Sequence, residues 1–301
     1  MRRLESRVAI VSGAGRGLGR AHAMYLASQG ASVVVNDLGG DVHGIGSDQG
    51  PAQNVVREIV SAGGVAAASA HDVSDWDQAA ALVTFAIQTF GSLHVLVNNA
   101  GILRDRLLAN MTEEEWDAVI RVHVKGHAAP TSHAMAYWRD RAKAGKPVAA
   151  SVIHTTSISA FAGNFGQANY TAAKSALIGL SRVVALEGAK YGVRSNAVSP
   201  SARTRITLAD SPAAELELAV QASDPLDPAN VSPLIGWLAE ENCPSTSQVF
   251  HVYGNRLIVI AMPTGVHDLR NNGRWTAEDL ERELPPLMLK PPDIYDFVER
   301  L

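Results

Sequence analysis

Cysteine is almost absent from this sequence, and so is any strong excess of charge. Cys243 is the single cysteine in 301 residues, so the chain forms no internal disulfide and no multi-thiolate metal site. A reducing, cytoplasmic setting is expected. The formal net charge is −4, from 26 basic and 30 acidic residues, which excludes an obvious nucleic-acid binder.

Long apolar runs are also missing. The apolar residues 8–11 that follow the basic N-terminus stop at Ser12-Gly13, short of the roughly 7–15 apolar residues of a signal peptide. No segment approaches the roughly 18 uninterrupted apolar residues of a membrane span. The histidines and carboxylates form no group predicted to hold a metal. We therefore expect no membrane association and no metal centre.

Short apolar runs alternate with longer amphipathic stretches, which is the pattern of parallel strands joined by helices. The runs lack polar alternation, as expected of strands buried on both faces. Seven strands are predicted, at residues 8–12, 32–36, 65–70, 93–98, 151–155, 194–198 and 248–252. Helices are predicted at residues 17–29, 51–62, 75–89, 112–144, 167–191 and 228–241. The fold class is therefore α/β, with one doubly wound sheet over residues 1–255.

The pattern breaks down after Gly254. Residues 256–301 contain five prolines, which argues against another strand–helix–strand unit. We expect a C-terminal extension that packs on the domain or on a partner subunit. Earlier in the chain, residues 39–50 are predicted to form a surface loop, and residues 199–228 to cover part of the domain.

Glycines cluster in residues 13–19, between the first predicted strand and the first predicted helix. Glycine in such a turn lets the backbone approach a pyrophosphate, and the helix offers unpaired N–H groups to the anion. The pattern also arises by chance, so an ordinary connecting turn is the alternative. Its position favours a dinucleotide loop. The predicted cofactor contacts are Gly13, Arg16, Gly17, Leu18 and Gly19.

Asp37 directly follows the second predicted strand, 18 residues beyond Gly19. A carboxylate there accepts hydrogen bonds from ribose hydroxyls and repels the extra phosphate of NADP. Arg16 favours the opposite choice, because a basic side chain pairs with that phosphate. We predict NAD as the cofactor, with NADP less favoured. The alternative for Asp37 is a turn residue before Gly39.

Further candidate contacts follow the third and fourth predicted strands. They are Asp72, Val73, Asn99, Ala100 and Gly101. Ligands of open α/β sheets lie beyond the carboxyl ends of the strands, so these residues are predicted to line the adenine and the nicotinamide ribose. Ordinary Asx turns are the alternative.

Ser157, Tyr170 and Lys174 are the candidate catalytic residues. Tyr170 and Lys174 lie four residues apart, on one face of a predicted helix. A phenol titrates at about 10, so it is a poor base at neutral pH unless a nearby ammonium stabilises the phenolate. Ser157 would then hydrogen-bond the substrate oxygen while Tyr170 moves the hydroxyl proton. A solvated tyrosine–lysine pair is the alternative.

The motifs at 12–19, 98–101, 157, 170–174 and 196–200 together resemble the short-chain dehydrogenase/reductase family. The resemblance extends to about residue 255. It implies a single Rossmann-type domain with a seven-stranded parallel sheet, a nicotinamide cofactor that also contacts Tyr170 and Lys174, and catalysis by Ser157, Tyr170 and Lys174. Because related enzymes associate through helices and C-terminal segments, a homodimer or homotetramer is expected.

His123 stands where this family usually has an asparagine that positions the lysine through a water. We include His123 among the candidate catalytic residues, as a proton relay. The alternative is a hydrogen-bonded structural histidine.

A narrower resemblance lies in residues 33–41, the glycine-rich loop to Gly50, and residues 163–170. These segments are similar to the (3R)-hydroxyacyl-CoA dehydrogenase part of the type 2 peroxisomal multifunctional enzymes and their bacterial relatives. It implies a small-molecule substrate, the 3-hydroxyl of an acyl-CoA or of a steroid-derived acyl-CoA. The alternatives are a hydroxysteroid or ketone oxidoreductase that needs no CoA thioester, and a dinucleotide sensor without turnover. The arginines predicted either to meet CoA phosphates or to be solvated are Arg104, Arg106, Arg203 and Arg205.

Overall fold

The computed structural model describes residues 2–204 and 224–297, in which eight strands form one sheet. The strands are β1 (Val8–Ser12), β2 (Ser32–Asn36), β3 (Val65–Ser69), β4 (Val95–Asn98), β5 (Ala150–Thr155), β6 (Val193–Ser201), β7 (Val249–Tyr253) and β8 (Arg256–Ile260). Their order is β3-β2-β1-β4-β5-β6-β7-β8, parallel except for β8. The doubly wound α/β class is confirmed, and the strand order reverses between β1 and β4.

Helices cover both faces of the sheet. In chain order they are α1 (Gly17–Ser28), α2 (Gly50–Ser61), α3 (Trp76–Phe90), α4 (Glu113–Ile120), α5 (Gly126–Lys143), α6 (Ser159–Ala162), α7 (Ala168–Gly188), α8 (Ser232–Ala239) and α9 (Ala277–Glu283). The single helix predicted at 112–144 is instead α4 and α5, joined by a π turn at Arg121–Lys125. The helix predicted at 228–241 is shorter, because a 3-10 turn, Pro228–Val231, precedes α8. Among the described residues, no helix is long and apolar enough to cross a membrane.

The core has two layers because successive residues of a strand face opposite sides of the sheet. On β1, Ala9 and Val11 face the layer that contains α1, α2 and α8, whereas Ile10 faces the layer that contains α3, α5 and α7. Trp138 is buried in the second layer, where its indole N–H donates to the carbonyl of Leu93 at 2.8 Å. Because helices cover both faces of the sheet, a ligand is expected to bind at the carboxyl ends of the strands.

Strand β8 is the main departure from the predicted sheet. All seven predicted strands are present, and residues 256–260 of the predicted extension pair with β7 as an antiparallel eighth strand. The connection is a two-residue turn, Gly254-Asn255, in which Gly254 has a φ of +53°. Glycine adopts this φ readily, and a two-residue turn of this kind is typical of β-hairpins. The predicted boundary at 255 therefore falls between two paired strands.

The last described residues of the extension pack on the domain. The ring of Phe297 stacks on Phe161 at 6.1 Å between centroids and meets His251 at 6.0 Å. Ile294 lies in the wall of the cleft at the carboxyl end of the sheet. The extension therefore adds an apolar side chain to that cleft.

Buried histidines give the fold an expected sensitivity to acid. Burial lowers the pKa of His22 to about 3. Burial first, and then the charge of Lys174, lowers the pKa of His154 to about 3. Such an imidazole takes up its proton only on unfolding, so the free energy of unfolding falls as the pH drops below about 6.5. The loss is at most about 1.4 kcal/mol per pH unit for each histidine.

Replacing His154 by glutamine is expected to reduce the loss of stability between about pH 6.5 and about pH 4.5. Urea unfolding at the two pH values measures this difference. The exposed His267 offers a matched control, since His267→Gln should keep the wild-type dependence on pH. An unchanged dependence in the His154 variant would contradict the assignment of a buried, neutral imidazole.

Candidate active site

A cleft of about 820 Å³ opens at the carboxyl ends of the strands, where the strand order reverses. Residues from distant parts of the sequence meet there. The predicted site residues that line the cleft are Gly13, Arg16, Gly17, Leu18, Asp37, Asp72, Val73, Asn99, Ala100, Gly101, His123, Ser157, Tyr170 and Lys174. Gly19 is the remaining one, and it lies against the backbone of Gly13.

The loop between β1 and α1 has the shape that a pyrophosphate requires. Gly13 and Gly17 have positive φ angles, +63° and +52°. A Cβ atom on Gly13 would lie 2.9 Å from the Cα of Ala100, and one on Gly19 would overlap the carbonyl oxygen of Gly13. Because no side chain caps the N-terminus of α1, its first N–H groups are available to an anion. These residues fit a dinucleotide.

Asp37 is held at the end of β2 by two backbone groups. Its carboxylate oxygens accept hydrogen bonds from the N–H of Gly15 and the N–H of Gly39, each at 2.7 Å. A carboxylate has lone pairs beyond these two, so it retains capacity for ribose hydroxyls. The Asp37 side chain therefore holds the glycine loop in place and also faces the cleft.

Asp72 and Asn99 both bond to nearby backbone, in different ways. The carboxylate of Asp72 accepts from the N–H of Ser74 at 2.8 Å, which is the Asx turn considered as the alternative. Asn99 instead donates to the carbonyls of Ser12 and Gly13, at 3.1 and 3.3 Å. Asn99 thus joins the end of β4 to the glycine loop.

Tyr170 and Lys174 lie one turn apart on α7, and Ser157 follows β5. The ammonium of Lys174 donates to the carbonyl of Thr155 at 2.7 Å and lies 5.5 Å from the centroid of the Tyr170 ring. Burial lowers the pKa of Lys174 to about 7. The pKa of Tyr170 is raised to about 12. Burial is the largest cause, a hydrogen bond with Ser157 opposes it, and the charge of Asp105 adds to it. The phenol is therefore protonated at neutral pH, in contact with the serine that we predict to bind the substrate oxygen.

His123 lies on the π turn, between the backbone of Ile102 and the ring of Tyr170. Its Nε2 is 3.1 Å from the nitrogen and 2.9 Å from the oxygen of Ile102, and its ring meets the ring of Tyr170 edge-on at 5.3 Å. A Cβ on Gly101 would overlap the imidazole. Burial first, and then the charge of Lys174, lowers the pKa of His123 well below its usual value. These contacts are those of a positioning residue for Tyr170, and the predicted relay stays a prediction.

The expectation that no histidines share a metal-ligand spacing overlooked one pair. His123 and His127 stand four residues apart, a spacing that on an ordinary helix suits a metal. His127 instead packs its ring against His154, with the Nδ1 atoms 3.3 Å apart. No group of three or more metal-ligating side chains occurs within residues 2–204 and 224–297.

Two polar residues that hold the site's backbone in place were not predicted from the sequence. The hydroxyl of Ser12 accepts from the N–H groups of Asn99 and Ala100, at 3.0 and 3.1 Å. Asn169 is fully buried and donates to the carbonyls of Arg104 and Glu115. A polar residue at the end of a buried strand, and one directly before Tyr170, were signals that could have indicated them.

The comparison with known families agrees with this geometry. A family model of short chain dehydrogenases matches residues 7–209. The chain belongs to the short-chain dehydrogenase family. It is accordingly an oxidoreductase that acts on CH–OH groups of a small-molecule substrate with a nicotinamide cofactor.

Individual relatives of this short-chain dehydrogenase carry more specific names. The hydroxyacyl-CoA dehydrogenase ChsB1 of Mycobacterium tuberculosis is 42% identical over 86% of this chain and 81% of its own length. The peroxisomal multifunctional enzyme type 2 of Mus musculus is 41% identical over 83% of this chain, which spans only 32% of the mouse protein. A crystal structure of a short chain dehydrogenase from Mycobacterium avium has 43% identity and a TM-score of 0.85, covering 97% of this chain and 98% of that one.

The four arginines predicted to meet CoA differ in their surroundings. Arg106 pairs with Glu115 at 2.7 Å, and Arg203 pairs with Asp224 at 2.9 Å. Of the three described arginines, Arg203 lines the cleft. Arg205 lies outside the described residues.

Proposed function

We propose that this short-chain dehydrogenase oxidises the 3-hydroxyl of a (3R)-hydroxyacyl-CoA, or of a steroid-derived acyl-CoA, to a ketone with NAD. The observation that carries the proposal is the contact of Tyr170 with Ser157 and Lys174 in the cleft that also holds the glycine loop and Asp37. The thioester rests on the similarity to ChsB1, which is named a hydroxyacyl-CoA dehydrogenase.

The chain's own residues divide the chemistry among them. Bound NAD supplies the hydride acceptor. Tyr170 is a protonated phenol in the resting site, so it first releases its own proton to solvent. Ser157 donates a hydrogen bond to the substrate oxygen, and the Tyr170 phenolate then receives the hydroxyl proton as the C–H bond at C3 breaks and the C–O bond becomes a carbonyl. Lys174 places a positive charge beside the Tyr170 ring, which favours the phenolate that proton removal requires.

The choice of NAD rests on Asp37, because a carboxylate at the end of β2 would repel the additional phosphate of NADP. Replacing Asp37 by serine is expected to weaken NAD binding by about tenfold to a hundredfold, since hydrogen bonds to a charged group are lost. The preference for NAD over NADP should fall by a similar factor. Titrating each cofactor against the purified variant measures both effects.

Asp48→Ser is the matched control. The Asp48 carboxylate accepts a hydrogen bond from the N–H of Gly50 at 2.8 Å and does not line the cleft. The variant should leave the affinity for both cofactors unchanged. A preference for NADP in the wild-type protein would overturn the cofactor assignment.

The substrate is tested with a panel of (3R)-hydroxyacyl-CoA thioesters, steroid side-chain CoA thioesters and free hydroxysteroids, following NADH absorbance with Tyr170→Phe as the blank. Oxidation of a thioester but not of the free steroid supports the proposal. Turnover of free hydroxysteroid alone would replace it with a hydroxysteroid oxidoreductase. Cofactor binding without turnover would indicate a dinucleotide sensor.

We also propose that the protein is a homodimer or homotetramer. Apolar side chains on the surface support this, with Val183 and Leu186 exposed on α7 and Leu257 and Val259 exposed on β8. Light scattering should give a mass of two or four times the 31.9 kDa chain. A mass equal to that of one chain at micromolar concentration would contradict the proposal.

A further inference from the structure

A hydrogen-bonded pair lies beside the catalytic groups in a part of the cleft that the mechanism above does not use. Gln167 Nε2 donates to a carboxylate oxygen of Asp105 at 2.7 Å, and both residues line the cleft. Gln167 directly precedes α7, three positions ahead of Tyr170. The two segments are also joined through the backbone, since the N–H of Arg106 donates to the carbonyl of Gly166 at 2.8 Å. The pair is therefore held in a fixed place.

The amide of Gln167 has a defined orientation. Its oxygen accepts from Ser159 Oγ at 3.3 Å and from Asn164 Nδ2 at 3.0 Å. Ser157 Oγ in turn donates to Ser159 Oγ at 3.4 Å, which links the amide to the serine predicted to bind the substrate oxygen. An amide oxygen has two lone pairs and an amide nitrogen has two hydrogens, of which Asp105 takes one. The second N–H is available to an acceptor in the cleft.

The negative charge of Asp105 reaches the reacting group. After burial, which is the larger cause, this charge contributes to the raised pKa of the Tyr170 phenol. A substrate carboxylate near the Tyr170 phenol would be repelled by the negative charge of Asp105. Asp105 is exposed at the cleft. Like charges a few ångströms apart near a protein surface still repel each other strongly enough to change binding by about an order of magnitude.

We propose that Gln167 and Asp105 select a neutral acyl carbonyl beside the carbinol and exclude a free carboxylate. This inference rests on the proposed function, in which the substrate is a 3-hydroxyacyl thioester. In the thioester the carbon two positions from the carbinol carries an uncharged carbonyl, which accepts the free N–H of Gln167. In the free 3-hydroxy acid the same carbon is a carboxylate, which Asp105 repels.

Two small substrates that lack CoA test the selection by Gln167 and Asp105 separately from any recognition of the CoA group. Methyl (R)-3-hydroxybutyrate and (R)-3-hydroxybutyrate differ in charge at C1, which is a neutral ester in the first and a carboxylate in the second. The wild-type enzyme is expected to oxidise the ester with a kcat/KM at least about tenfold above that of the acid. Asp105→Asn keeps an oxygen that accepts from Gln167 and removes the charge, so it should lower this ratio about tenfold by improving turnover of the acid.

Two further variants complete the experiment. Asp117→Asn removes the same charge from an exposed position of α4 and should keep the wild-type ratio. Gln167→Met should raise KM for the ester about threefold to tenfold with little change in kcat, as expected when a ground-state hydrogen bond is lost.

The outcomes separate this inference from the proposed function. A ratio that Asp105→Asn leaves unchanged overturns the inference, and so does a wild-type enzyme that prefers the acid or oxidises neither molecule. If the ratio falls as expected while CoA thioesters are not oxidised, the charge selection stands and the thioester proposal fails. If thioesters are oxidised and the ratio does not move, the proposed function stands and the inference fails.

Discussion

Replacing Tyr170 by phenylalanine is expected to lower kcat by about a hundredfold to ten-thousandfold, the usual contribution of a positioned acid or base. The variant removes one oxygen and keeps the ring, so the edge contact with His123 and the position above Lys174 are retained. Cofactor affinity should change little, because the ring of the expected cofactor contact is kept and the loss concerns the proton transfer. Steady-state kinetics and a titration with NADH measure the two quantities separately.

Tyr191→Phe removes a phenol oxygen from a residue outside the cleft and serves as the control. It should keep the wild-type kcat. A Tyr170→Phe variant with kcat within about threefold of wild type would remove Tyr170 from the reaction, and with it the assignment of Ser157 and Lys174 as its partners.

Replacing Gly19 by alanine is expected to abolish detectable cofactor binding, a loss of more than about a hundredfold. The added methyl group would overlap the carbonyl oxygen of Gly13 and lie 2.7 Å from the amide nitrogen of Asn99. The Gly13 carbonyl belongs to the turn that would hold the pyrophosphate, and the Asn99 side chain donates to that turn. A contact with a backbone atom is not relieved by a change of rotamer. Calorimetric titration with NAD measures the effect, and circular dichroism tells a local displacement from a failure to fold.

Gly179→Ala is the matched control. Gly179 lies within α7, and a Cβ there would meet nothing within 4 Å. Alanine in an exposed helix position is expected to stabilise the protein by about 0.5–1 kcal/mol, with unchanged cofactor affinity. Wild-type affinity in the Gly19 variant would show that the loop does not hold the dinucleotide.

The strands could be predicted because parallel strands buried on both faces leave a simple pattern. The predicted and observed bounds of β1 and β2 are identical, since each strand is a short apolar run ended by a polar or glycine residue. The glycine loop and Tyr170 with Lys174 could be located for a related reason. The glycines are neighbours in one turn, and Tyr170 and Lys174 are four residues apart on one helix face. Their separation along the chain therefore already places them close together.

Interactions between distant segments could not be predicted in the same way. The π turn that divides the helix predicted at 112–144 carries His123, whose bond to Ile102 spans 21 residues. The bond from Gln167 to Asp105 spans 62 residues. Neither residue belongs to a periodic pattern, and each contact exists only once the sheet has brought its loops together. Strand β8 is different. Its Gly254-Asn255 turn is a local signal for a hairpin, but the prolines of the extension led to the prediction that no further strand follows.

Transfer of deuterium tests the central claim most directly. (3R)-Hydroxybutyryl-CoA labelled with deuterium at C3 is incubated with the enzyme and NAD, and the reduced cofactor is isolated for mass spectrometry. The account predicts one deuterium in each NADH formed, acetoacetyl-CoA as the other product, and no transfer by Tyr170→Phe. NADH without deuterium, or deuterium transfer that persists in the Tyr170 variant at the wild-type rate, would contradict it.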